Sequence, residues 1–192
     1  EEVAAEGSPL WDVAKQAYEL GYHRAAFPEE VGGLGFTPLQ THILQEELMW
    51  GSLGLTAVVF MAGWPYFKLL ATMNPELIEE FVVPFCQCTD ATITGSWAIT
   101  EPDHGSDTLG PGEDFFYDPK IKWQVQGRLE GDEYVINGAK TYITNGQHAD
   151  LIIVVASEKI GGQIDRGFQF NSVAARSAQD DNAIYANLVI RG

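Results

Sequence analysis

The residues best able to do chemistry in this chain are gathered in two short stretches. Trp97-Ala98-Ile99-Thr100-Glu101-Pro102-Asp103-His104-Gly105-Ser106-Asp107 sets two hydroxyls and three carboxylates around a proline and a glycine. A turn of this make-up can aim backbone N–H groups and a hydroxyl at one anionic or polar ligand. The same residues also suit a plain solvated turn. The second stretch is Asn137-Gly138-Ala139-Lys140-Thr141-Tyr142-Ile143-Thr144-Asn145-Gly146. Asn137-Gly138 predicts a hairpin turn, because type I′ turns need positive φ at both central residues. Glu101 could act as a general base, but beside Pro102 it fits better as a residue that orders its turn. His104 reads either as a proton shuttle or as an exposed side chain. Gly32-Gly33-Leu34-Gly35 is not a dinucleotide fingerprint, since no strand leads into it and the spacing is wrong.

The first stretch resembles the Thr-Glu-Pro-x-x-Gly-Ser-Asp signature of the acyl-CoA dehydrogenase family, matched by Thr100, Glu101, Pro102, Gly105, Ser106 and Asp107. The second resembles that family's Asn-Gly-x-Lys-x-(Trp)-Ile-Thr-Asn-Gly element, with Tyr142 where tryptophan is usual. Phe27-Pro28-Glu29-Glu30-Val31-Gly32-Gly33-Leu34-Gly35 resembles a third element, in the right order upstream. The resemblance implies an FAD-dependent oxidoreductase that desaturates an acyl-CoA thioester between its α and β carbons, in fatty acid metabolism. Trp97, Ile99 and Thr100 would border the flavin, with Thr100 donating to its pyrimidine side. Ser106 would lie near the cofactor pyrophosphate and the CoA portion of the substrate. Tyr142, Ile143 and Thr144 would pack on the rest of the ring, with Thr144 near N5. An electron-transfer flavoprotein as acceptor and a homo-oligomeric assembly also follow from the resemblance. Oxidases and flavin-dependent hydroxylases of the same fold, and a non-catalytic binding or scaffolding module, stay open beside the dehydrogenase.

Composition narrows the partners. A hydrophobic share of 45% with 20% charged residues marks a globular chain rather than a disordered one. A formal net charge of −16 disfavours nucleic acid and anionic membrane surfaces, both of which repel an acidic protein. Cys86 and Cys88 are the only cysteines, too few for a disulfide framework, and no clustered histidines complete a metal site with them. An acidic start at Glu1-Glu2 lacks the basic segment of a secretory signal, so a reducing compartment is expected: cytoplasm, or mitochondrial matrix in a eukaryote. Trp50 to Phe67 carries no charge and approaches the roughly 17–25 apolar residues of a membrane span. Its glycines and Pro65 point instead to a buried core helix.

The elements that must position the two stretches change character along the chain. Ser8-Pro9, Thr37-Pro38 and Asn74-Pro75 each read as an N-cap followed by a first-turn proline. Helices are expected from Pro9 to Gly21, from Pro38 to Gly51, from Leu55 with a kink or break near Gly63-Trp64-Pro65, and from Pro75 to just before Pro84. Phe27 to Phe36 reads as a loop. After Gln87 to Asp90 the pattern turns extended: Thr92–Thr100, Lys120–Leu129, Glu133–Ile136, Ala139–Thr144, Leu151–Ala156 and Ala183–Ile190 read as strands. The fold class is therefore α+β, an all-α domain over residues 1–90 followed by a small β-barrel or sandwich over 91–192.

Two regions depart from the family pattern: an acidic, aromatic insertion over residues 108–130, and residues 163–192, which match nothing in it. The family takes the α-proton with a carboxylate in a C-terminal helical bundle, and no third helical region precedes Gly192. The chain alone is thus expected to lack both that bundle and a catalytic base.

Overall fold

A computed structural model describes residues 8–103, 105, 124–130, 133–160, 163–165, 170–173 and 183–191. Helix α1 (Pro9–Glu19) begins where the Ser8 hydroxyl accepts a hydrogen bond from Leu10 N, and it stops where Gly21 turns left-handed at φ 78°. The expected loop that follows is closed on itself. Leu34 N bonds Arg24 O, Gly35 N bonds Phe27 O, and the Arg24 guanidinium ties Gly32 O to Cys86 O. Helix α2 (Pro38–Gly51) opens on a capping box, in which Thr37 and Gln40 each accept from the other's backbone N–H.

Helix α3 (Leu53–Ala71) corrects the expected break, because it runs unbroken through Pro65. Proline removes one hydrogen bond from the ladder. The burial of Ala62, Tyr66 and Leu69 on either side of it holds the helix together. By length and composition α3 could cross a membrane, yet its Val59–Ala62–Tyr66–Leu69 face is packed into the core. The stop before Pro84 is corrected too. Helix α4 (Pro75–Leu77) passes into a π-helical turn over Ile78–Val82, and Val83 N reaches back to Ile78 O. That wide turn resets the hydrogen-bond register, so Pro84 falls in the first turn of α5 (Val83–Gln87), where no N–H is needed.

The strands form two sheets among the described residues. One has the order β1 (Gly95–Ala98), β4 (Leu151–Val155), β7 (Phe170–Val173), with β1 and β4 parallel. The other runs β6 (Gln163–Asp165), β5 (Ser157–Ile160), β2 (Gln126–Glu130), β3 (Glu133–Thr141), β8 (Ala183–Arg191). Ala98, Ile136, Ile152 and Val154 from the two sheets share a core with Val125 and Ala149, a β-sandwich behind a helical domain, as the fold class expected. Strand β4 is buried on both faces: Leu151 belongs to the helical core, while Ile152 and Val154 belong to the sandwich core.

The hairpin expected at Asn137-Gly138 is not there. β3 runs straight through that pair and is matched to β8 over nine residues, from Glu133–Arg191 to Thr141–Ala183. On its other edge β3 pairs antiparallel with β2, from Gln126–Asn137 to Glu130–Glu133. Glycine is required at 138 for another reason: at φ 145° a Cβ would come within 2.7 Å of Val125 Cγ2. This is the close backbone approach that a glycine inside a strand often marks.

Candidate functional site

The two chemistry-bearing stretches meet at the ends of β1 and β3. Thr141 N donates to Thr100 O at 3.0 Å, so the chain leaving β1 lies beside the chain leaving β3. Beneath this contact sits an ion pair with side chains no more than 1% exposed. Lys140 Nζ donates at 2.8 Å to Glu101 Oε1 and at 2.8 Å to Ile99 O. The other donors to Glu101 are backbone groups at the entrance to β2, with Val125 N at 2.9 Å from Oε1 and Gln124 N at 2.5 Å from Oε2. The Gln124 side-chain amide in turn donates to Asp103. Burial pushes the Lys140 ammonium down to about 8, against the opposing pull of the Glu101 carboxylate. Glu101 is committed to these donors, which is the turn-ordering reading.

A second anchor holds the loop that follows. Tyr142 and Asn145 both adopt left-handed backbone, at φ 56° and 63°. The Asn145 side chain donates to Val58 O of α3 at 2.9 Å and to Gly95 O of β1 at 3.3 Å. The turn closes with Gly146 N on Ile143 O and Ala149 N on Asn145 O. Gly95 brings the helix this close, since a Cβ there would lie 2.5 Å from Ala62 O.

The expected site residues do not share one environment. Thr100 and Ile99 are half-buried, Thr144 is exposed, and Tyr142 stands 82% exposed at the strand end. Among the described residues neither threonine hydroxyl makes a hydrogen bond. Ile143 packs its side chain against the sandwich core. Trp97 points toward α3, where it stacks on Trp64 at 4.8 Å and 16°. The Lys68 ammonium lies 5.7 and 5.6 Å from the two indole centres, within reach of a cation–π attraction. Trp64 also lines a cavity of about 210 Å³ with Phe27, Phe60 and Phe67. Ser106 and His104 lie outside the described residues, as does most of the 108–130 insertion. No group of three metal-ligating side chains is found among the described residues.

Sequence reasoning missed Lys140, Asn145 and Trp64 as site-building residues. Lys140 alternates inward in β3, and that periodicity was a usable signal. The partners of Asn145 and Trp64 are 87 and 33 residues away along the chain, beyond any local pattern.

Comparison with known proteins bears directly on this geometry. Residues 1–88 match the acyl-CoA dehydrogenase N-terminal domain, and residues 96–181 match the acyl-CoA dehydrogenase middle domain. The chain belongs to the acyl-CoA dehydrogenase family. It is 30% identical over 146 residues to a protein named probable medium-chain specific acyl-CoA dehydrogenase 2, mitochondrial, of Caenorhabditis briggsae, covering 76% of this chain and 32% of that one. It is 30% identical over 157 residues to the glutaryl-CoA dehydrogenase of Desulfococcus multivorans, covering 80% and 37%. A glutaryl-CoA dehydrogenase from Mycobacterium smegmatis, solved in complex with FADH2, superposes with a TM-score of 0.73 over 94% of this chain and 46% of that one. At 20% identity that last likeness is one of fold. The chain spans about a third of the length of the curated relatives it matches.

Proposed function

We propose that this chain forms the flavin-binding part of an acyl-CoA dehydrogenase, with FAD as cofactor and an acyl-CoA thioester as substrate. The observation that carries the reading is the paired strand ends. Thr100 and Thr144, two hydroxyls without partners among the described residues, follow strands fastened together by Thr141 N–Thr100 O and by the buried ion pair. The exposed Tyr142 stands between them in sequence. Two unengaged hydroxyls and an uncovered aromatic face suit a planar, polar-edged ring such as isoalloxazine. The FADH2 bound by the M. smegmatis protein of the same fold supports that choice.

When bound, the flavin would supply the hydride acceptor for α,β-desaturation. This chain's residues would bind and orient it. Thr100 would donate to the pyrimidine side and Thr144 near N5, where preorganised donors would stabilise the charge of the reduced ring. Tyr142 would cover part of the ring, and Ser106 would serve the pyrophosphate and the CoA moiety. Trp97 acts from behind, its indole braced on Trp64 and its backbone leading into Ile99 and Thr100. Glu101 holds its carboxylate between Lys140 and two backbone N–H groups and takes no proton from substrate. The acceptor of the electrons would be an electron-transfer flavoprotein, and the working form a homo-oligomer.

Titrating the protein with FAD and FMN, followed by visible absorption and flavin fluorescence, tests the reading. Saturable binding of FAD in preference to FMN, with reduction by an acyl-CoA in the full assembly, is expected. A folded protein that takes up neither flavin sinks it.

A further inference from the structure

A buried ion pair is a poor way to gain stability. Two apolar side chains of similar size fill the same space without the cost of desolvating two charges. The Glu101–Lys140 pair therefore calls for an account of what its geometry achieves. Its hydrogen bonds are not scattered through the core. They run to Ile99 O, the carbonyl just before Thr100, and to Gln124 N and Val125 N at the entrance of β2. Lys140 itself lies two residues before Tyr142 and four before Thr144. One charged cluster thus touches every segment that leads into the candidate flavin contacts, except the far end of the second loop, which Asn145 fastens separately.

We propose, resting on the flavin reading above, that Glu101 and Lys140 are positioning residues for the flavin: together they set the spacing and register of Thr100 against Tyr142 and Thr144. The direction of each bond supports this. An ammonium can only donate, so Nζ draws Ile99 O and the carboxylate to the same point. A carboxylate only accepts, so the N–H groups of Gln124 and Val125 are drawn to the same carboxylate. An apolar pair would fill the volume and impose none of these directions.

The test separates holding the fold from aiming the site. The double variant Glu101→Gln/Lys140→Met removes both charges together, so no unpaired charge is left buried. It is compared with the unaltered protein for thermal midpoint, FAD dissociation constant and the visible circular dichroism of bound flavin. The expected result is a cooperatively folded protein with a lowered midpoint, since the new amide NH2 meets a backbone N–H and Ile99 O loses its donor, together with an FAD dissociation constant raised about tenfold or more and altered flavin dichroism at saturation. A folded double variant that binds FAD within about twofold of the original, with the same dichroism, overturns the proposal while the flavin reading stands. Should the double variant not fold, Glu101→Asp replaces it, keeping both charges and shortening the arm by one methylene. An unchanged affinity and spectrum there is equally fatal to the proposal, and a shifted pair supports it. If the unaltered protein takes up no flavin, the reading and this inference fall together.

Discussion

The helical core and the strand-end site solve the same problem, fixing distant segments against one another, by opposite means. In the helical core the work is done by ring faces. Tyr66 stacks on Phe85 at 4.0 Å, Tyr18 stacks on His23 at 3.9 Å, and Phe27 leans on Phe67 at 4.5 Å. Its polar atoms are tips that reach single carbonyls, Tyr18 Oη to Ile93 O and Tyr66 Oη to Thr94 O. At the strand ends the work is done by two charges and the backbone groups around them. Apolar packing is roughly additive and forgiving of shape, whereas a buried polar network is satisfied as a whole or not at all. The first suits a scaffold. The second suits a place where geometry must be held to a fraction of an ångström.

Placing the same residue in both regions puts this contrast to its hardest test. Leu69→Met, in the helical core, should cost less than about 1.5 kcal/mol, because methionine fills a leucine site with little loss of volume. Lys140→Met should cost about 3–5 kcal/mol, since it leaves the Glu101 carboxylate buried without its cation. Denaturant unfolding of the two variants side by side measures the difference. Equal costs would mean the ion pair is no more demanding than ordinary packing.

His23 is a polar liability of the helical core, and pH exposes it. Burial holds His23 neutral and lowers its pKa to about 4, from an ordinary value of 6.5. The unfolded chain therefore binds more protons than the folded one between those values. Stability should be level above pH 6.5 and fall by about 3 kcal/mol as pH drops toward 4. His23→Phe should remove this acid limb, because a phenyl ring keeps the stack on Tyr18 and Phe85 O still accepts from Cys88 N. A thermal midpoint followed from pH 7 to 4 in both proteins decides it. An identical slope in the variant would assign the acid loss to carboxylates elsewhere.

How much of this was legible in the sequence also divides along the same line. Local chemistry was readable wherever it acted locally: Ser8 and Thr37 cap their helices, Gly21 ends one, and the apolar run Leu151–Val155 is a strand buried on both faces. The errors came where distant contacts outweighed a local preference. Asn137-Gly138 has the make-up of a turn, yet nine residues of pairing with β8 hold it extended. Pro65 and Pro84 were read as breaks, yet burial and a π-turn carry the helix past them. The strand-end site was half legible. Its two stretches could be seen, but Lys140 gave no sign that its partner lay 39 residues earlier. Gly138→Ala sharpens the point. If the glycine serves close approach to Val125 and not a turn, the added methyl should cost about 1–3 kcal/mol by overpacking. A neutral or stabilising outcome would show that the backbone moves aside.

The smallest expected effect on stability carries the most information about the site. Thr144 is exposed, and its hydroxyl bonds nothing among the described residues, while the neighbouring Asn145 fastens the loop to α3 and β1. Thr144→Val keeps the β-branched shape and deletes only the hydroxyl. The folded protein should change by no more than about 0.5 kcal/mol, as for a surface position away from any network. The flavin should respond differently. If Thr144 donates near N5, it stabilises the reduced, more negative ring, and a hydrogen bond to a charged group contributes about 1.5–3 kcal/mol. Losing it should lower the two-electron potential of bound FAD by about 30–60 mV. Equilibrium reduction against a reference dye reads that shift directly, with thermal melting run in parallel as the control. A potential unmoved by the substitution would make Thr144 an ordinary strand-end residue. The ion pair would then be positioning Thr100 and Tyr142 without it.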